Sequence, residues 1–346
     1  MYLSQLSDKC RTVRAAILRP FYPLVSFVVV VLGTASGCSS PSAETTASAL
    51  SASYEAPEIY ADHRAQQQLF NSATGRIAYT DHGDGPALVL LHGVPTSSWM
   101  YRKVIPDLQQ HFRTISVDLL GYGSSDKPDD DERVYTAQKQ AERVQELLAS
   151  LNINNYSIMM HDMGGLIAWE LLRANPAQVE NLIVQNTIIR DEGFKNPTVK
   201  PGVMARQMAK AYSSNLTSAG VMSMSFRNLG LTGDASLSEA ECEGYVLPMR
   251  EGGNYALYSF FTSLNDDLFA RLETNPTSFN QFSGDTLVLW GAQDEVLTVE
   301  QLPALTDHLT IAPENLLIYP ENNHYLIEED PAEVVTQVVR FMRASS

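Results

Sequence analysis

The sequence has 346 residues, 44% of them apolar and 18% charged, the profile of an ordinary globular protein and not of a collagen-like or intrinsically disordered one. Lys and Arg total 24 against 40 Asp and Glu, a net charge of -16, so an electrostatic grip on nucleic-acid phosphates is not expected. Cys10, Cys38 and Cys242 are too few for a disulfide scaffold and too scattered for a zinc ribbon, so no structural metal or staple is expected.

In chain order, residues 1–20 carry Lys9, Arg11, Arg14 and Arg19, and an apolar run from Phe21 to Gly33 ends in Ala35, Ser36, Gly37 and Cys38. A basic start, a short apolar stretch and small residues form a secretory signal layout over 1–37. The run of 13 residues falls short of the roughly 20 that a membrane span needs. The small residues before Cys38 resemble the lipobox of bacterial lipoproteins, which implies lipidation of Cys38 and a tether to a bacterial membrane after export. Ala35-Ser36-Gly37 equally suits ordinary signal cleavage at the same bond. Removing 1–37 leaves 20 basic against 39 acidic residues, a charge of -19. Residues 38–57, rich in Ser, Ala, Thr and Pro, have no apolar periodicity and read as a flexible tether.

From Arg76 onward short apolar runs alternate with amphipathic segments, which predicts a mostly parallel sheet flanked by helices. The predicted strands are Ala87–Leu91, Thr114–Val117, Tyr156–Met160, Asn181–Val184, Thr286–Trp290 and Leu316–Tyr319. Helical stripes run through Ala137, Ala141, Val144, Leu148 and Leu151, and through Val334, Val335, Val338 and Met342. Asp330-Pro331 caps the last helix, and Thr298-Val299-Glu300-Gln301 has a capping-box pattern for the one before it. The alternation breaks between about Thr187 and Phe282, where Met204, Met208, Met222, Met224 and Met249 accumulate. The expected organisation is a core over 58–186 and 283–346, interrupted by an inserted cap over 187–282. The cap's methionines and aromatics either line an apolar pocket or form a small core of their own.

The chemistry is expected at one strand-to-helix corner. His161-Asp162-Met163-Gly164-Gly165 follows a predicted strand and turns into Leu166–Leu172, which places Asp162 at the nucleophile position of a sharp elbow. Asp is ionised near neutral pH, with an unperturbed pKa of about 3.9, so it needs no base to attack an electrophilic sp3 carbon. The resulting ester then needs an activated water. His324, after Leu316–Tyr319, is the best placed of the seven histidines to activate it. Asp294, just beyond Thr286–Trp290, can orient the imidazole, with Glu295 as the fallback acid. Backbone amides of Val94 and Met163 are the expected oxyanion hole. His92 and His161 are expected to hold loops by hydrogen bonds and not to move protons.

Three stretches, His92–Ser98, Asp118–Pro128 and His161–Gly165, together resemble the α/β-hydrolase superfamily, in the branch of epoxide hydrolases and haloalkane dehalogenases. The resemblance covers roughly Arg76 to Met342. It implies an α/β-hydrolase fold with a mainly helical cap, an Asp nucleophile, and a late acid and His. Members that move the acid place it soon after the next strand, where this chain reads Gln185-Asn186-Thr187, in favour of Asp294. The dehalogenases hold halide with a Trp after the nucleophile and often an Asn or Glu after His-Gly. This chain has Met163 and Val94, neither of which has a side chain that donates to an anion.

Epoxide hydrolases use cap tyrosines to protonate the opening ring. By position Tyr212 and Tyr258 are the candidates, with Tyr245 and Tyr255 as rivals. The resulting expectation is an epoxide hydrolase acting on a small apolar electrophile without metal or organic cofactor, its only membrane contact being a lipid anchor. The alternatives are a haloalkane dehalogenase, an ester or lactone hydrolase, and a catalytically silent surface binding protein on the same fold.

Overall fold

The computed structural model describes residues 56–128, 132–199, 202–233, 235–264 and 279–345. Cys38, the signal segment and the tether up to residue 55 lie outside the described residues. A short helix α1 (Glu58–Ala65) precedes β1 (Gln68–Ser72) and β2 (Gly75–His82). Then follow β3 (Ala87–Leu91), α2 (Ile105–Leu108), β4 (Arg113–Val117), α3 (Ala137–Ser150), β5 (Tyr156–Asp162), α4 (Gly164–Ala174) and β6 (Val179–Thr187). Between β6 and β7 (Asp285–Gly291) lie α5 (Val203–Asn215), α6 (Ala219–Leu229), α7 (Glu239–Pro248) and a helix α8 over 254–264. The chain closes with α9 (Leu302–Thr306), β8 (Leu316–Tyr319), α10 (Leu326–Glu329) and α11 (Pro331–Ala344).

The strands form one sheet in the order β1-β2-β4-β3-β5-β6-β7-β8. Strands β3 to β8 are parallel, while β1 and β2 pair antiparallel to each other and β2 runs antiparallel to β4. All residues of β3 and β5 are buried, as two covered sheet faces require of a continuous apolar run. The six predicted strands are present: β3 and β8 keep the predicted bounds, and the other four are longer by one to five residues. The β1–β2 hairpin was not expected: β1 is an edge strand of Gln, Asn and Ser around Leu69 and Phe70, half exposed and too polar to stand out.

The expected stripe of α3 is buried at Ala137, Ala141, Val144 and Leu148, and Leu151 is its half-buried C-cap. Asp330 caps α11 by accepting from the Glu333 amide, and Val334, Val338 and Met342 are buried. Thr298 also caps, but its hydroxyl accepts from the Glu300 amide and the turn it starts is a 3-10 turn, so the full capping box is not formed. A capping box does form in α7, between Ser238 and Glu241. Met222 and Met249 are core residues, whereas Met204 is 69% exposed, so the methionines of the helical segment divide between packing and surface. Cys242 is a buried free thiol, its pKa pushed up to about 11 by burial first and then by Glu243.

Candidate active site

The parallel register sets Leu91 of β3 beside Met160 of β5, and the adjoining β6 reaches Thr187 opposite Asp162. The loops that leave these strands therefore converge at the carboxyl edge of the sheet, where open α/β sheets bind ligands. Asp162 ends β5 with φ of +50°, a left-handed conformation that a non-glycine residue adopts at a cost of roughly 1–3 kcal/mol. The bend is possible because Gly164 has no side chain: a Cβ there would lie 2.3 Å from the Leu91 carbonyl. Gly93 makes the same allowance, since its Cβ would sit 2.5 Å from Asp162 Oδ1.

That proximity lets the backbone reach the carboxylate. The Val94 amide donates to Asp162 Oδ1 at 2.8 Å, and the Met163 amide, next in the chain, helps to stabilise the charged carboxylate. His324 Nε2 lies 3.8 Å from Asp162 Oδ2, too far for a hydrogen bond, so the imidazole stays available to a third molecule. On its other side His324 Nδ1 donates to Asp294 Oδ2 at 2.7 Å. Asp294 is held in turn: the Val296 and Leu297 amides donate to Oδ1 at 2.8 Å, and Asn186 Nδ2 donates to Oδ2 at 2.9 Å. Asn186 is itself fixed, accepting from the Gly291 amide and donating to the Gly291 carbonyl. The fallback acid Glu295 is exposed.

Electrostatics follow from this burial. Asp162 is 5% exposed, and burial raises its pKa above the ordinary carboxylate value while His324 and the two amides oppose the rise. Burial pulls His324 down, but the carboxylates of Asp294 and Asp162 outweigh it and the net shift is upward. His161 Nε2 donates to the His324 carbonyl at 2.9 Å and its Nδ1 has no partner, so it is a neutral loop-holder, its pKa far below normal because of burial first. His92 is likewise neutral, donating from Nδ1 to the Gly93 carbonyl and accepting from the Leu119 amide at Nε2.

The expected cap tyrosines separate. Tyr212, on α5, is half-buried, its hydroxyl 3.4 Å from Ser225 Oγ, and burial and then the Asp162 charge raise its phenol. Tyr258 is half-buried on α8, and no hydrogen bond or ring contact among the described residues brings it to the triad. Tyr255 is also half-buried there. Tyr245 is drawn away: its hydroxyl donates to Glu328, and Arg102 Nη1 reaches it at 3.3 Å. Sequence reasoning missed Asn186, whose amide stands where an acid was sought, and Tyr325, which follows His324 directly and meets its ring edge-on at 4.7 Å. Two clefts, of about 870 and 430 Å³, open elsewhere, one beside Asn152, Glu180 and Asp285 and the other beside Trp99 and Arg102. Among the described residues no group of three or more His, Cys, Asp and Glu is placed to hold a metal ion.

A family model described as the alpha/beta hydrolase fold matches residues 86–219. A cis-3-alkyl-4-alkyloxetan-2-one decarboxylase of Shewanella oneidensis is 26% identical over 287 residues, 77% of this chain and 85% of that protein. Haloalkane dehalogenase 2 of Mycobacterium bovis is 25% identical over 79% of this chain and 94% of its own. Epoxide hydrolase 3 of Xenopus tropicalis is 25% identical, covering 78% and 75%. A crystal structure of an alpha/beta hydrolase fold protein from Burkholderia ambifaria superposes with a TM-score of 0.64 at 24% identity, over 79% of this chain and 97% of that one. The chain has the α/β-hydrolase fold, and over most of its length it is similar to proteins named for haloalkane dehalogenase, epoxide hydrolase and alkyloxetanone decarboxylase activity.

Proposed function

We propose that the chain is an epoxide hydrolase in which Asp162 is the nucleophile. In the first step Asp162 Oδ2 bonds to a ring carbon, the C–O bond of the epoxide breaks, and the ring oxygen takes a proton, giving a hydroxyalkyl ester. In the second, His324 takes a proton from water as the water oxygen attacks Cγ, and the oxyanion that forms on Oδ1 meets the amides of Val94 and Met163. The intermediate collapses with cleavage of the Cγ–Oδ2 bond, the alcohol oxygen takes the proton from His324, a diol leaves, and Asp162, left as a carboxylic acid, loses its proton to water. The observation that carries this reading is the split of the Asp162 carboxylate: Oδ1 held by the Val94 amide at 2.8 Å, Oδ2 facing His324 at 3.8 Å.

The absence of an anion-binding side chain at Val94 and Met163 weighs against halide as the leaving group, and the Tyr212 hydroxyl, within reach of the Asp162 charge, favours an oxygen that must be protonated. A second reading, attack on an oxetan-2-one, is favoured by the name of the relative from Shewanella oneidensis. The test is His324→Gln incubated with epoxides, oxetan-2-ones and haloalkanes, followed by intact mass. An epoxide-sized adduct on Asp162 is expected. A lactone- or alkyl-only adduct would reassign the substrate, and an unmodified protein across the panel would sink the nucleophile and favour a silent binding protein. We further propose that Cys38 is lipidated after export, which a first cysteine of the exported chain without acyl mass would refute.

A further inference from the structure

We propose that Tyr325, a core residue adjoining His324, donates the proton to the opening ring together with Tyr212 of the helical insert, in place of Tyr258. This rests on the epoxide reading of Asp162.

The placement argues for it. The Tyr325 ring stands edge-on to His324 at 4.7 Å and tilted to His161 at 5.1 Å, so it borders the imidazole that lies 3.8 Å from Asp162. From the other side α6 closes on it: Phe226 lies 4.6 Å away, and the Tyr325 amide donates to the Gly230 carbonyl at 2.9 Å. Gly230 is what allows this approach, because a Cβ there would fall 2.3 Å from Tyr325 Cδ2. The ring is thus gripped by core and insert, yet no described residue hydrogen-bonds its hydroxyl. The hydroxyl keeps some exposure instead of being sealed in packing, so a ligand atom can reach it. Burial raises the phenol well above its usual value, and the Asp162 carboxylate and the Tyr212 hydroxyl are the next causes, so both lie within electrostatic reach of it. It therefore remains a neutral O–H donor. Tyr245, the other phenol on this side, is engaged by Glu328.

In the step itself the ring oxygen accepts from one or both hydroxyls as Asp162 Oδ2 attacks. The breaking C–O bond leaves its electron pair on oxygen, the alkoxide takes the proton of Tyr325 or Tyr212, and the phenolate regains one from water.

The test separates ester formation from ester hydrolysis by intact mass, with styrene oxide, epichlorohydrin and 1,2-epoxyoctane as probes. In the His324→Gln background, Tyr325→Phe should slow ester formation at least ~10²-fold, the lower end for general acid catalysis. With His324 present, Tyr325→Phe should show no accumulated ester, because formation and not hydrolysis has slowed. A residue that only positions His324 would give the reverse, an ester that accumulates, and that result overturns the proposal. So does ester formation within threefold of the parent. Placing 3-fluorotyrosine at 325, which keeps the ring contacts, should move the high-pH loss of ester formation to lower pH; an unmoved limb also overturns it. If His324→Gln gains no mass from any probe, the Asp162 reading has failed and this one with it, an outcome distinct from the others.

Discussion

Asp294→Asn exposes the logic of the site, because the structure fixes how the amide must sit. Four donors converge on the carboxylate: Val296 N and Leu297 N on Oδ1, His324 Nδ1 and Asn186 Nδ2 on Oδ2. An amide has a single acceptor oxygen. The two backbone donors cannot turn away, so the oxygen is kept on their side and the new NH2 group faces His324. His324 Nδ1 must then accept, its proton moves to Nε2, and the nitrogen facing Asp162 loses its lone pair. Loss of the correct tautomer in a histidine of this kind is worth about 10⁴ in rate, about 5.4 kcal/mol. The loss should fall on hydrolysis alone, since attack by Asp162 needs no base. Quenched-flow intact mass with an epoxide should show ester forming at close to the parent rate and persisting. Equal slowing of both steps, or hydrolysis within tenfold of the parent, would refute the assignment of Asp294.

Other outcomes follow from the same geometry. Gly93→Ala puts a Cβ 2.4 Å from Asp162 Cβ, so the Val94 amide must move off Oδ1, and turnover should fall by about 10²–10³ with the far-UV spectrum unchanged. Ester hydrolysis needs neutral His324, whose pKa Asp294 raises, so its rate should fall as pH drops; with Asp162 esterified and uncharged, the midpoint should lie below that of His324 in the free enzyme. A pH series on the ester that shows a midpoint at or above that of the free enzyme would contradict this. Arg102→Ala strips Glu328, whose side chain has no exposure, of a partner at 2.5 Å and leaves Lys103 at 2.9 Å. Unpairing a buried charge costs about 3–5 kcal/mol, and the surviving lysine should hold the loss in urea unfolding near 3.

The parallel strands from β3 onward were legible because each is a short apolar run that two covered sheet faces demand, and the elbow was legible because strand, Asp and paired glycines are contiguous. What could not be read depended on long-range partners. Glu328 gives no sign in the sequence that Arg102, 226 positions earlier, will neutralise it, nor that Tyr245 will be taken from the pocket by the same carboxylate. Asn186 drew notice only as a missing acid, since its role needs β6 and β7 side by side. Tyr212 and Tyr258 were chosen by distance along the chain, but which tyrosine approaches Asp162 depends on how the helices between β6 and β7 pack, as where Gly230 at the end of α6 lets the Tyr325 ring lie close against it.

A single turnover in H2¹⁸O, with enzyme in excess over an epoxide, tests the ester on Asp162 most directly. The account predicts a first diol free of heavy oxygen and a gain of about 2 Da in the peptide containing Asp162, because the attacking water enters at Cγ and not at the substrate carbon. A diol already carrying ¹⁸O, with that peptide unlabelled, would mean that water attacks the ring directly and that Asp162 never bonds to carbon.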